Sequence, residues 1–256
     1  MTQTLHPFDE DTVAAWVRLL LADGGPDDAA VAALFPGGGA WAAGAAARSR
    51  QGVARAGRGS EEGANAVSFG LAQALAARYP AFVVPGASLT AWEARIDRGA
   101  GMLLRPPSRL FGEAGLPPAV ARAMPIRLDP AMSMMGGAHV PARLVPRFRE
   151  MLEEREARLL RRLAEAEMDA APIYAAVLEA AAWAADRGLG LYEAVDVVVP
   201  GAPAALPPGA NVILPDARRL PKETRRRLEA AARPPKPPGL LSRLLGRRRE
   251  AGDQPR

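Results

Sequence analysis

The sequence predicts a helix-rich α+β fold, on three observations. Apolar residues recur at helical spacing in most windows, short β-branched or apolar runs stand between them, and Gly and Pro clusters cut the chain into brief elements. The expected architecture is an irregular helical N-terminal half, a central αα-hairpin over about residues 141–187, short strands at 81–84, 125–129, 195–199 and 211–214, and a loosely attached or disordered basic C-terminal tail. Two units follow: a single globular domain over 1–232, then a Pro-rich linker and basic amphipathic tail over 233–256.

Residues 9–23, DEDTVAAWVRLLLAD, read as the first helix: acids occupy its first turn, Val13, Trp16, Leu19 and Leu20 share a face, and Gly24-Gly25 stops it. A second, short helix begins at Pro26 and ends before Pro36. Residues 37–59 are rich in Gly, Ala and Arg and short of large side chains, so only part of them is expected to be helical. Ser60 with Glu61 and Glu62 marks a helix start, Val67, Leu71, Leu75 and Tyr79 recur every four residues, and Pro80 closes the pattern. AFVV at 81–84 is a strand, and SLTAWEARIDRGAG is a short helix entered through Ser88 or Thr90. From Gly101 to Asp129 the chain is segmented, with MLLR extended, a turn or two of helix in PPSRLFGEAG and PPAVARAM, and PIRLD as a strand.

From Pro141 the pattern sharpens. Leu144, Phe148, Leu152, Leu159, Leu163 and Ala166 hold one helical face to about residue 168, with Arg155 as the single polar intruder and Glu150, Glu153, Glu154 and Glu156 as a solvated face. A helix from about Pro172 to Arg187, ended by Gly188, folds back on it because the connection is short. VDVVV has the β-branched density of a buried strand, NVILP is a second extended run, and LPKETRRRLEAAAR is a small basic helix from Pro221.

Composition bounds the function. With 256 residues and 49% hydrophobic side chains the chain builds a globular core, though aromatics supply only 5%. No cysteine is present, which excludes disulfides, thiolate metal ligands and Cys nucleophiles and fits a reducing, cytoplasmic setting. The opening MTQTLHPFDEDT has no basic start followed by an apolar run, so no signal peptide is expected, and His6 is read as lying near a frayed end. No window approaches the ~18 to 20 apolar residues of a membrane span. The net charge of +5 divides unevenly: residues 1–216 hold 20 Arg against 24 acids, net −4, and residues 217–256 hold 13 basic residues against four acids, net +9.

Three places carry candidate chemistry. In MSMMGGAHVPAR, Gly136 and Gly137 precede the helix entered at Pro141, whose first N–H groups lack intrahelical partners; His139, Arg143 and Arg147 lie beside it. Arg105, Arg109 and Arg127 would clamp a phosphate or carboxylate, with Asp97 or Asp129 as orienting acids, or would pair internally and pin loops. In the tail, Leu240, Leu241, Leu244 and Leu245 fall on one face of a short helix with Arg243, Arg247, Arg248 and Arg249 beside and after it. No catalytic residue is assignable, no metal-ligand spacing exists, and no cofactor motif is present.

Two function classes remain open. The first is a soluble, non-enzymatic interaction or scaffold protein whose tail engages a protein partner or an anionic membrane surface from the cytoplasm, with non-specific nucleic acid contact as a further option. The second is a small-ligand binder or enzyme for an anionic substrate, built from Arg105, Arg109, Arg127 and His139 near Gly136-Gly137. Oligomeric state is not legible in the pattern.

Overall fold

The computed structural model describes residues 2–86, 88, 89, 92, 96–124, 138–195, 197, 207, 209–220 and 222–231. The architecture is helix-rich α+β, as the periodicity predicts. A five-stranded sheet of order β3-β4-β1-β2-β5 lies between two groups of helices. The strands are β1 (Thr2–Phe8), β2 (Ala81–Pro85), β3 (His139–Val140), β4 (Gly190–Val195) and β5 (Val212–Ile213). All pairings are antiparallel except β2 with β5.

The central strand is the one that sequence patterning misses. β1 hydrogen-bonds β2 on one side and β4 on the other, so the expected frayed end is instead the middle of the sheet. Gln3, Thr4 and His6 are buried there with Leu5 and Phe8, and this mixture of polar and apolar residues conceals the strand. Because successive side chains point to opposite faces, Leu5, Phe82 and Leu191 enter one core while Phe8, Val83 and Tyr192 enter the other. Of the expected strand at 195–199, Val195 ends β4 and Val197 lies in a bend, while residues 196, 198 and 199 lie outside the described residues. The observed β4 runs earlier, over GLYEAV, where every residue is buried. The expected strand at 125–129 lies outside the described residues.

On the first face, α1 (Glu10–Leu21) and α2 (Asp28–Leu34) start where Asp9 and Asp27 accept the N–H groups of Asp11 and Ala29. Next, α3 (Gly39–Ala56) is continuous where only partial helix is expected, and it packs on α4 (Glu61–Arg78), which Ser60 caps through the Gly63 N–H at 3.2 Å. Their approach is close because glycines face it. A Cβ at Gly52 would sit 2.6 Å from the Gly63 carbonyl oxygen, and one at Gly63 2.6 Å from the Ala56 nitrogen. The short helices α5 (Arg98–Gly101), α6 (Pro107–Glu113) and α7 (Pro118–Ala123) follow; α6 and α7 have proline in their first turns.

The second face holds the αα-hairpin. After a 3-10 turn at Ala142–Leu144 come α8 (Val145–Glu154) and α9 (Glu156–Glu165), then α10 (Ala170–Ala185), which packs back on both. The helix expected to run unbroken from residue 141 to 168 therefore splits at Arg155, whose φ of −107° and ψ of 12° leave the helical region. The intruding side chain reaches Asp97, with Nη1 2.9 Å from Oδ1. Glu156 is also not solvated: it is buried and accepts the Thr224 hydroxyl at 2.9 Å, tying α11 (Lys222–Ala231) to α9. Past α10, Gly188 adopts φ 66° and the Leu189 N–H donates to Ala184, closing the helix.

Candidate functional site

Register places both histidines of the chain beside one tyrosine. His139 on β3 and His6 on β1 each stand directly opposite Tyr192 on β4, so the three side chains form a row across adjacent strands on one face of the sheet. The face is roofed by α4, whose Ser68 hydroxyl is hydrogen-bonded to the Tyr192 hydroxyl, and Phe111 of α6 meets the Tyr192 ring edge-on at 6.2 Å. Phe8 meets the His139 ring edge-on at 6.0 Å.

Hydrogen bonding settles the state of His6. The Thr4 hydroxyl donates its one proton to the Ala194 carbonyl at 3.3 Å and so accepts from His6 Nε2–H at 2.8 Å. Nδ1 then carries the lone pair, and it has no hydrogen-bond partner among the described residues. Burial pushes the His6 ring down to about 3. His139 is pushed down to about 4, chiefly by burial, with Glu113 and the Arg105 backbone opposing that and the Arg105 and Arg109 charges adding to it. Burial raises the Tyr192 phenol, the Ser68 hydrogen bond working against it. At neutral pH the row is an uncharged polar seam inside the core. It is closed to solvent and tied to α4 through the Ser68–Tyr192 hydrogen bond.

Two buried carboxylates do comparable work on the other face. Glu193 on β4 accepts the Leu89 N–H at 2.7 Å and the Ala138 N–H at 3.2 Å, holding two loop segments against the sheet. Asp97 accepts the Gly99 N–H at 2.6 Å and pairs with Arg155, while Arg158 lies 3.7 Å from its other oxygen. A Cβ at Gly99 would strike Arg155 Nη1 at 2.3 Å, so glycine is what lets that guanidinium close on the acid. The sequence suggests Asp97 as an orienter of Arg105, Arg109 or Arg127; its observed partners are Arg155 and Arg158.

The remaining candidate residues disperse. Arg105 pairs by backbone with His139 and gives Nη1 to the carbonyls of Met102 and Leu104. Arg109 pairs with Glu113, four residues on, at 2.8 Å. Arg143 lies exposed in the 3-10 turn. Arg127, Gly136 and Gly137 lie outside the described residues, as do Leu240, Leu241, Arg243, Leu244, Leu245, Arg247, Arg248 and Arg249. Two surface concavities stand elsewhere: an apolar groove between α1 and α2 over Ala15, Leu19, Ala30, Ala33 and Leu34, and a cleft where α4 meets β2. Among the described residues no three His, Asp or Glu side chains gather as metal ligands would, and no single helix is long and apolar enough to cross a membrane.

No protein-family model, curated protein or solved structure matches the chain. The internal partners therefore rest on geometry alone. Spacing does not reveal Ser68, Thr4 or Tyr192 as members of one layer, since they come together from residues 4, 68 and 192 only through sheet register. Glu193 had one available signal: a lone acid in the apolar run LYEAV.

Proposed function

We propose that the chain is a non-enzymatic interaction protein whose basic, leucine-bearing C-terminal segment attaches it to an anionic lipid surface. The observation that carries this reading is the charge division: net +9 over residues 217–256 against net −4 over the rest. Four leucines at the spacing of one helical face and the flanking arginines suit an interface, with each Arg contributing about 1 kcal/mol near an anionic bilayer. The Thr224–Glu156 hydrogen bond and buried Leu220 support it further, because they fix the base of that segment to the folded body. In the body, the chemistry-bearing side chains have internal uses: both histidines are buried and Asp97 and Glu193 hold loops. The alternative, an anion pocket around Arg105, Arg109, Arg127 and His139, is less favoured because Arg109 and Arg105 have internal acceptors and His139 is enclosed.

Cosedimentation with vesicles of anionic and of neutral lipid, at low and at physiological salt, tests the reading. The full chain is expected to bind anionic vesicles more strongly at low salt, and replacement of Arg247, Arg248 and Arg249 by Glu in the full chain is expected to remove most of that binding. Equal binding by both proteins, or no binding by either, sinks it.

A further inference from the structure

The cleft where α4 meets β2 has a composition suited to a ligand. It encloses about 310 Å³ between the end of α4, the turn after α2 and the chain leading into β5. Among the described residues Arg78 is the one charged residue in its lining, which otherwise offers Tyr79, Asn211 and an apolar wall that includes Ala77, Pro80 and Ala210. The guanidinium is held in place: Nη1 donates to the Leu34 carbonyl at 3.1 Å and to the Thr12 hydroxyl at 3.3 Å, and the group lies 5.3 Å from the centre of the Tyr79 ring. No carboxylate among the described residues comes within ion-pair distance of it. Asp9 is linked to it only through the Thr12 hydroxyl, which donates to Asp9 Oδ2 at 2.9 Å, and a fixed guanidinium without a carboxylate in direct contact, in a concave site, is suited to recognise carboxylate and phosphate groups.

Tyr79 is fixed as well. Its ring meets Trp183 edge-on at 6.3 Å, Trp183 meets Phe82 at 6.2 Å, and Arg187 lies 4.1 Å over Trp183. Two glycines shape the rim. Gly37 at φ 93° and Gly209 at φ 82° let the backbone turn there without a side chain in the cleft. A wall ordered before binding loses little freedom on association. The volume exceeds what an inorganic anion fills and falls at the lower end of small-molecule sites.

We propose that this cleft binds a small organic anion, a carboxylate or phosphate monoester with a ring or short carbon skeleton, through Arg78, with the skeleton against Tyr79, Ala77 and Ala210. This site is separate from the C-terminal segment and from the Arg105–His139 region, so it stands or falls independently of the lipid reading.

Phenyl phosphate serves as the probe, followed by calorimetry or by chemical-shift changes on the full chain, with inorganic phosphate as the skeleton-free control. Saturable binding with a Kd on the order of 1 mM or tighter is expected, with inorganic phosphate at least about tenfold weaker. Asn211→Asp sets a carboxylate at the rim while keeping the backbone carbonyl that accepts the Ala81 N–H at 2.9 Å, and it is expected to weaken binding about tenfold or more. Ala210→Trp fills the cleft and is expected to abolish binding; if that variant fails to fold, Asn211→Asp decides alone. Absence of saturable binding up to about 10 mM overturns the proposal. So does equal binding of inorganic phosphate, or binding that Asn211→Asp leaves unchanged.

Discussion

At the scale of single residues, the two histidines have the plainest measurable consequence. Well above their ordinary value of about 6.5 neither the folded nor the unfolded chain protonates them, and they leave stability unchanged. As pH falls below that, the unfolded chain takes up protons at the ordinary histidine value, while the folded rings refuse them until about 4 for His139 and about 3 for His6. The unfolded state therefore binds more protons, and stability is lost on acidification by roughly 1 kcal/mol per pH unit for each histidine, down to its folded value. Urea titrations at pH 7 and pH 5 read this directly. Equal unfolding free energies at the two values would mean that the rings are not enclosed as described.

At the scale of elements, the α3–α4 pair depends on missing side chains. A Cβ at Gly63 would press on the Ala56 nitrogen and the Arg55 side chain, so Gly63→Ala is expected to separate the helices and cost roughly 2 kcal/mol, outweighing its helix-propensity gain of about 1 kcal/mol. Gly44→Ala, in the same helix pair, meets only the far end of Arg48 at 3.3 Å and is expected to be neutral or to stabilise by up to about 1 kcal/mol. Thermal denaturation of the two variants separates these outcomes; similar effects would show that close approach does not govern the pair. Elements of this kind divide what patterning reveals from what it conceals. Helices α1 and α4, with side-chain caps and regular apolar spacing, are legible from sequence, as are α10, which Gly188 ends, and β2 in AFVV. β1 is not, because its fit depends on Thr4 and His6 finding partners that lie far along the chain or pair only once the strand is formed. Arg155 is legible as a polar residue on an apolar face, but the helix break there is not, since its partner Asp97 lies 58 positions away.

For the whole molecule, β1 is the element on which both cores depend. It supplies Leu5 to one and Phe8 to the other and carries hydrogen bonds to two strands. A chain beginning at residue 9 is expected to lose its cooperative thermal transition, observed by circular dichroism. Melting within about 5 °C of the full chain would show that the two helical layers hold together without it. The outer strands of the sheet, β3 and β5, are only two residues long, so little unpaired edge is offered to another copy.

The position of β1 also sets a timetable. A ribosome extends a chain at roughly 5 to 20 residues per second, so the interval between making Phe8 and making Gly190 is about 10 to 40 seconds. Throughout it the first strand has been synthesised without its β4 neighbour, and Leu5 and Phe8 have no finished interior to enter. Pairing of β1 with β4 is thereby deferred until translation has passed Val195, and nascent chains halted before that point are expected to remain open to proteases and chaperones.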